Sequence, residues 1–221
     1  MKTYYTGEYA RHYNQIWATF SQKTYAATLS LIDLTQLQQA TSTADHPPHF
    51  LDVACGTGLL LKQFTQLIQQ AELYGIDGSE EMLSQARRLL ENYPHAHLCQ
   101  GTLSVEAIAS LPYALPSFDV ITCTNAFHYL KDLVGVHRAL KQLLASQGQL
   151  VIEDYARRRF PFPWRLFEWK IKRSDPQHIR AYTLTEAQDI CRQAGVQVVS
   201  TRTFHLNIVW HGWALGAKAS I

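Results

Sequence analysis

The sequence has few of the features that mark secreted, membrane-spanning or metal-binding proteins. Its four cysteines, Cys55, Cys99, Cys123 and Cys191, form no CxxC pair, which disfavours zinc and indicates a reducing compartment. No run approaches the roughly 20 apolar residues that span a bilayer, and the first residues lack the apolar region of a signal peptide. The net charge of +2 indicates no global polyanion partner. We expect a cytoplasmic protein with no bound metal.

Length and composition favour one α/β domain. With 221 residues, 47% of them hydrophobic, the chain can bury one large core but is short for two domains. Strand-like apolar runs alternate with amphipathic helical patterns over residues 50–155, which predicts a parallel sheet with right-handed crossovers and helices on both faces. We predict a helical cap with a linker at residues 1–45 and a core at residues 46–155. A lid segment at residues 156–184 and a C-terminal helix with two strands at residues 185–221 would follow.

Individual elements follow from periodicity and from turn residues. We expect one or two helices over residues 8–40 and then the polar linker ATSTADHPPH. Gly148 is expected to form the turn before a strand, and Gly195 to end a helix. The other predicted strands and helices lie at residues 50–54, 58–68, 72–77, 79–90, 95–101, 117–127, 133–144, 149–155, 185–194, 196–205 and 207–219.

The stretch FLDVACGTGLLLKQF has a glycine-rich loop between a strand and a helix. A phosphate-binding P-loop is excluded, because Gly56 and Gly58 are one residue apart and Lys62 comes too late. A dinucleotide loop needs a third Gly or Ala where this chain has Leu61. The remaining interpretation is a loop that binds a nucleoside without phosphates, such as an adenosine with an amino-acid tail.

Four motifs in register identify a family resemblance. LDVACGTG, YGIDGSEEMLSQAR, FDVITCTNAFHYLKD and GQLVIEDY resemble the motifs of class I S-adenosylmethionine-dependent methyltransferases, in their small-molecule branch, over residues 50–155. The resemblance implies a Rossmann-like, mainly parallel seven-stranded sheet with an antiparallel C-terminal strand. It also implies S-adenosyl-L-methionine as cofactor and S-adenosyl-L-homocysteine as product.

The resemblance assigns the cofactor residues by position. Asp77 would accept hydrogen bonds from the ribose hydroxyls, and Met82 would pack on the adenine, although alone Met82 reads as a core residue. The family usually has Gly-Asp where this chain has Gly101-Thr102, so adenine recognition would pass to the Thr102 hydroxyl or the Leu103 backbone. The full expected set is Asp52, Ala54, Gly56, Gly58, Asp77, Gly78, Met82, Thr102, Leu103 and Asn125.

The candidate catalytic residue is His128, which follows the fourth predicted strand of the core. An unperturbed imidazole titrates near neutral pH and can act as a base, while the alternative is a residue that only fixes the loop. The expected substrate residues are Tyr9, Tyr13, Tyr129 and Trp164. For Tyr9 and Tyr13, simple packing on the sheet is the alternative.

Residues 157–173 contain seven basic side chains and one acid, Glu168, interleaved with five aromatic residues. Our main interpretation is an aromatic-lined pocket for a small molecule with an aromatic or anionic group. A membrane-surface helix and a solvated basic face are the alternatives. Nucleic acid is disfavoured, because Thr124-Asn125-Ala126-Phe127-His128 lacks the Asn/Asp-Pro-Pro-aromatic signature of base and amide methyltransferases.

The sequence thus predicts methyl transfer to a small molecule through an O, N or C nucleophile. The alternatives are a non-catalytic cofactor-binding partner or sensor, an RNA or lipid methyltransferase, and a nicotinamide-dependent oxidoreductase, which Leu61 disfavours. The oligomeric state is left open.

Overall fold

The computed structural model describes residues 5–43, 47–68, 70–111, 118–159 and 162–219. Seven strands form one sheet: β1 (His49–Val53), β2 (Glu72–Asp77), β3 (Ala96–Gln100), β4 (Phe118–Thr124), β5 (Leu144–Tyr155), β6 (Val196–His205) and β7 (His211–Ala219). The helices are α1 (Gly7–Ile16), α2 (Ala18–Leu29), α3 (Leu34–Thr43), α4 (Leu59–Leu67), α5 (Glu80–Leu89), α6 (Val105–Ala109), α7 (Leu133–Leu143), α8 (Trp164–Ser174) and α9 (Leu184–Gln193). Within these ranges no helix combines the length and apolarity needed to cross a bilayer.

The strand order is β3-β2-β1-β4-β5-β7-β6. Strands β1 to β5 pair in parallel, while β7 is antiparallel to both β5 and β6. The chain reaches one edge at β3 and then returns to add β4 beside β1, so the carboxyl ends of β1 and β4 flank the switch point where ligands bind in such sheets. The predicted fold class is confirmed.

Both faces of the central strands β1, β4 and β5 are buried, which explains their nearly continuous apolar sequences. On one face Leu51, Ile121 and Leu150 pack beneath α7 and α9. On the other face Phe50 stacks on Phe64 of α4 with ring centroids 3.9 Å apart. Cofactor-binding and substrate-binding groups can therefore meet only at the strand ends and in the loops above them.

Helix α2 covers β4, β5 and β7 with an unusually polar stripe. Its buried side chains include Ser21, Thr24 and Thr28. The Thr28 and Thr124 hydroxyls are hydrogen-bonded at 3.2 Å. Lys23 donates to the carbonyl of Leu206, between β6 and β7, at 2.7 Å.

The N-terminal part differs in detail from the prediction. The predicted one or two helices are three, and α3 extends to Thr43, into the predicted linker. The short helix α6 was not predicted; Ser104 caps it by accepting from the Ala107 N–H at 3.2 Å. Residues 44–46 of the linker lie outside the described residues.

The prediction of a turn at Gly148 is wrong. Strand β5 begins at Leu144 and runs through this glycine, with a register shift against β4 between Phe118 and Val120. A Cβ at Gly148 would lie 2.8 Å from the carbonyl oxygen of Phe118. Glycine therefore serves close strand contact here rather than a turn.

Candidate active site

The loop from Ala54 to Gly58, here called the cofactor loop, connects β1 to α4. Ala54, Gly56 and Gly58 all have positive φ, at 60°, 54° and 75°. A Cβ at Gly58 would lie only 3.0 Å from the Cβ of Ala86 on α5. Glycine therefore satisfies the backbone angle and also lets the loop approach α5.

Asp77 ends β2 beside the cofactor loop. Its Oδ2 accepts from the Gly56 N–H and its Oδ1 from the Ser79 N–H, both at 2.8 Å. Burial raises the pKa of Asp77, while these two hydrogen bonds act in the opposite direction. Each oxygen keeps further acceptor capacity, so the carboxylate can also bind donors on a ligand.

Met82 and Gly78 complete this side of the site. Met82 is buried, and its Cε lies 3.4 Å from the position that a Gly56 Cβ would take. It therefore packs directly beneath the cofactor loop. Around Gly78 the contact nearest to a built Cβ is the Gly101 carbonyl at 3.9 Å, which leaves its backbone approachable.

Asp52 lies inside β1 rather than in the loop. Its Oδ1 accepts from the Thr122 hydroxyl on β4 at 2.6 Å. Burial raises the pKa of Asp52 to about 7 against the opposing effect of this hydrogen bond. The carboxyl group can therefore gain or lose a proton near neutral pH.

Two buried acceptor groups lie at the ends of β4 and β5. Asn125 has a φ of 55° and donates from Nδ2 to the Thr24 hydroxyl at 3.0 Å, while its Oδ1 has no partner among the described residues. Glu153 is fully buried, and neither carboxyl oxygen has a partner within the described ranges. Burial raises the pKa of Glu153 well above its ordinary value. Asn125 Oδ1 therefore suits a ligand that brings hydrogen-bond donors, whereas Glu153 is a buried carboxyl that favours its protonated form.

Helix α1 is fixed over the cofactor loop by three hydrogen bonds of 2.6 Å. The Thr57 hydroxyl donates to Asn14 Oδ1, the Ser79 hydroxyl to the Tyr5 carbonyl, and Gln85 Nε2 to the Ala10 carbonyl. These bonds connect the N-terminal part to the loop and to α5. Sequence reasoning missed Asn14 and Tyr5, which belong to none of the recognised motifs.

Tyrosines from α1 and from the turn after β4 form one cluster. The rings of Tyr9 and Tyr13 are 6.2 Å apart, and those of Tyr5 and Tyr129 are 6.3 Å apart. The Tyr5 and Tyr129 hydroxyls lie 2.5 Å apart, and Tyr129 donates to Asp175 at the end of α8. Burial raises the pKa of Tyr13 and of Tyr129. Three of the four predicted substrate residues thus lie together.

His128 lies in a 3-10 turn after β4 and is buried. Asp154 at the end of β5 accepts from the His128 backbone N–H at 2.8 Å and approaches its Nδ1 at 2.7 Å. With the proton on Nδ1, the neutral ring keeps its lone pair on Nε2. The GQLVIEDY motif contains Asp154, but its contact with His128 was not predicted.

A second histidine and carboxylate pair lies beside the first. The ring of His178 is 5.4 Å from that of His128. His178 Nε2 contacts Glu168 of α8 at 3.1 Å, and Nδ1 contacts the Tyr155 hydroxyl at 2.6 Å. Burial lowers the pKa of His178 and raises that of Tyr155. Sequence reasoning gave none of the three a role: His178 and Glu168 lie outside the recognised motifs, and Tyr155 only ends the GQLVIEDY motif.

Trp164 lies in a different part of the molecule from the tyrosine cluster. It packs with Phe162 and Phe167, and its indole N–H has no acceptor among the described residues. It lines a cleft of about 680 Å³ together with Arg157, Arg158, Arg159 and Arg165. Arg157 pairs with Glu186 at 2.5 Å. Phe160 of the predicted pocket lies outside the described residues.

The last two predicted cofactor residues lie at the end of β3. Thr102 is exposed, while Leu103 is half-buried against the hydrophobic core. The Gly101 N–H donates to the Asp77 carbonyl at 3.0 Å, which holds this turn against β2. Within the described ranges, no three His, Cys, Asp or Glu side chains converge as metal ligands would.

Comparison with known proteins gives one family match and several relatives. A model described as a methyltransferase domain matches residues 51–150. The uncharacterized methyltransferase YcgJ of Bacillus subtilis is 25% identical over 179 residues, which are 80% of this chain and 67% of that protein. The crystal structure of YcgJ aligns with this structure with a TM-score of 0.63 and 19% sequence identity. The alignment covers 85% of this chain and 100% of that chain.

A further relative is the malonyl-[acyl-carrier protein] O-methyltransferase of Bacillus cytotoxicus. It is 29% identical over 176 residues, which are 76% of this chain and 59% of that protein. The chain thus spans only about half to two thirds of the length of such curated relatives. The matched segment contains the cofactor loop, Asp77 and His128. Residues 51–150 therefore match a methyltransferase domain, and the chain resembles the class I S-adenosylmethionine-dependent methyltransferases in these motifs and in its fold.

Proposed function

We propose that the chain transfers a methyl group from S-adenosyl-L-methionine to a small-molecule acceptor and uses His128 as a base. The observation that carries this proposal is the placement of two sites at neighbouring strand ends. The cofactor loop with Asp77 lies at the ends of β1 and β2, and the pair of His128 and Asp154 follows β4 and β5. When bound, the cofactor would supply a methyl group carried on a sulfonium sulfur. Transfer of this methyl group leaves a neutral thioether.

The described residues fit this cofactor. Asp77 would accept from the ribose hydroxyls through its remaining lone pairs, with the Gly78 backbone beside it. The amino-acid end would lie along Ala54, Gly56 and Gly58. Asn125 Oδ1, buried and unpartnered among the described residues, suits an ammonium group.

Asp52 and the residues near β3 would play supporting roles. The Asp52 carboxyl, held by Thr122, ionises near neutral pH and would favour a nearby positive charge. Met82 would support the adenine from beneath the cofactor loop. Thr102 or the Leu103 backbone would meet the adenine edge.

The chemical step requires alignment and removal of a proton. Asp154 holds the His128 ring, so that Nε2 can accept the proton of a hydroxyl, phenol or carbon acid as the new bond to the methyl group forms. Helix α1 and its tyrosines cover the cofactor loop and exclude water. Tyr9, Tyr13 and Tyr129 would contact the acceptor.

An acceptor with an anionic group is the best fit to the lid segment. The cleft beside Trp164 contains four arginines, of which only Arg157 has an ion pair among the described residues. A malonyl group, named for one relative, carries such a charge. The cleft would hold a distal anionic part of the acceptor rather than the reacting atom.

The test separates cofactor binding from transfer. Calorimetric titration should show binding of S-adenosyl-L-methionine and S-adenosyl-L-homocysteine, no binding of NAD, and loss of affinity in Asp77→Asn. Transfer of a labelled methyl group would then be screened over small acceptors, with hydroxylated, anionic and aromatic members. Binding of NAD instead, or no transfer to any acceptor despite tight cofactor binding, would contradict the proposal.

A further inference from the structure

Helix α8 presents two chemically different faces. Trp164, Phe167 and Ile171 pack inward against a cluster that contains Tyr155. Glu168, the only acid of the helix, also faces inward and accepts from the Ala181 N–H at 2.8 Å. The opposite side, here called the outer face, consists of the exposed residues Arg165, Leu166, Trp169, Lys170, Lys172 and Arg173.

The outer face combines positive charge with exposed apolar groups. Leu166 is 58% exposed and Trp169 is 52% exposed, one helical turn apart. The guanidinium of Arg173 lies 4.9 Å from the centre of the Trp169 ring. Four basic side chains surround these two residues, and the one acid of α8, Glu168, faces inward, where burial acts to raise its pKa but the charge of Lys172 helps to lower it.

A second apolar projection is tied through Arg158 to the cleft that Arg165 and Leu166 also line. Ile208 is 94% exposed and Val209 is 37% exposed, in the loop between β6 and β7. Arg158 donates to both of their carbonyls at 3.3 Å and lies over the Phe162 ring at 4.3 Å. The next residue, Trp210, packs on Phe167 of α8 at 5.0 Å. This loop tip and α8 are therefore held together through one aromatic cluster.

We propose that the outer face of α8 and the Ile208-Val209 tip form a docking surface for an anionic lipid bilayer. Aliphatic and indole side chains partition into the headgroup boundary, while lysine and arginine bind lipid phosphates. The arginine-lined cleft, which Arg165 and Leu166 also border, opens beside this surface. A nucleic acid would match the basic residues but would leave the aliphatic tip without a contact.

The test is flotation of the protein with vesicles of phosphatidylcholine alone or with about 30% phosphatidylglycerol. We expect the anionic vesicles to bind at least about tenfold more tightly, and less so at high salt. The double variants Leu166→Ser with Trp169→Ser, and Lys170→Glu with Lys172→Glu, should each weaken binding at least about fivefold, as should Ile208→Ser. All five positions are exposed, so the variants should unfold at the wild-type temperature.

Matched controls carry the same substitutions elsewhere. Val199→Ser replaces an apolar residue on β6 that is also exposed, and Arg88→Glu reverses an exposed charge on α5. Both should bind like the wild type. Equal binding to both kinds of vesicle, or equal losses in the control variants, would overturn the proposal. Unchanged vesicle binding by the apolar variants would also overturn the proposal. So would binding of the wild-type protein to an acidic protein or to RNA in place of the vesicles. None of these results depends on methyl transfer.

Discussion

The carboxylate of Asp154 contacts His128 at two atoms, the backbone N–H at 2.8 Å and Nδ1 at 2.7 Å. The first contact fixes the position of the turn after β4, and the second selects the tautomer of the ring. Asp154 and His128 lie outside the cofactor loop, so the catalytic role that we propose for them can be tested separately from cofactor binding.

Asp154→Asn should impair transfer without impairing cofactor binding. The amide can still accept from the backbone N–H, but its NH₂ group would face Nδ1 and favour the tautomer that is protonated on Nε2. We expect kcat to fall about 100-fold or more, with the KM for the cofactor nearly unchanged. Steady-state kinetics over a range of pH measures this effect. The control is Asp119→Asn, at the start of β4, where Asp119 accepts from the His49 N–H. An unchanged kcat in Asp154→Asn would show that the reaction does not need this base.

Asp77→Asn should weaken cofactor binding. The amide cannot accept at both positions now held by Gly56 and Ser79, and it loses the charge that strengthens bonds to ribose hydroxyls. We expect at least about a tenfold loss of affinity for S-adenosyl-L-homocysteine by calorimetry. Glu80→Gln, on the exposed start of α5, should bind normally. Normal binding by both variants would remove Asp77 from the cofactor site.

Gly58→Ala should destabilise the protein more than Gly7→Ala. Both glycines have positive φ, but a Cβ at Gly58 would meet Ala86 at 3.0 Å, whereas the space around Gly7 is open. The strained backbone alone costs about 1 kcal/mol, and the contact with α5 should add about 1 to 2 kcal/mol at Gly58. Urea denaturation of the two variants gives this difference. Equal losses would mean that α5 shifts to admit the methyl group.

Asp52 should make the stability of the fold depend on pH. Its pKa is about 7 in the fold, whereas the ordinary value of 3.8 applies to the unfolded chain. Between these values the folded state binds more protons, so the free energy of unfolding should fall as the pH rises, by at most about 4 kcal/mol from this group. Denaturation between about pH 4 and pH 7 should show a smaller decrease in Asp52→Asn. The exposed Glu91→Gln variant should retain the wild-type slope.

Tyr129→Phe should loosen the connection between the N-terminal part and the lid segment. The Tyr129 hydroxyl bonds to both Tyr5 and Asp175, so its removal breaks two contacts at once. Amide hydrogen exchange should become faster in α1 and at the end of α8, while β1 and β4 remain protected. Tyr93→Phe removes a bond to the Ala71 carbonyl and is the control. Unchanged exchange in Tyr129→Phe would show that other contacts hold α1.

The core strands and the cofactor loop could be predicted because local sequence determines them. Strands β1 and β4 are buried on both faces and read as apolar runs, while Gly56 and Gly58 mark a loop that needs positive φ. These features depend on neighbouring residues in the chain. The strand at residues 149–155 was predicted, but its extension back to Leu144 was not, because that extension is fixed by pairing with Phe118.

Long-range contacts around the candidate active site could not be predicted in the same way. His178 meets Glu168 ten residues away and the Tyr155 hydroxyl 23 residues away, across a segment with no motif. Asn14 meets Thr57 over 43 residues. Such contacts depend on how the cap and the lid segment dock, and tertiary packing of this kind leaves no periodic pattern in the sequence.

The hydroxyl-rich stripe of α2 has a consequence for the order of folding. The surface that it covers is assembled from β4, β5 and β7, and Lys23 finds its acceptor, Leu206, 183 residues further along the chain. During synthesis α2 emerges before the strands that it covers, and its docking surface is complete only after β7 has paired. The buried hydroxyls of Ser21, Thr24 and Thr28 need polar partners, and the Thr28 hydroxyl finds one on β4. We therefore expect α2 to dock only after the strands beneath it have paired.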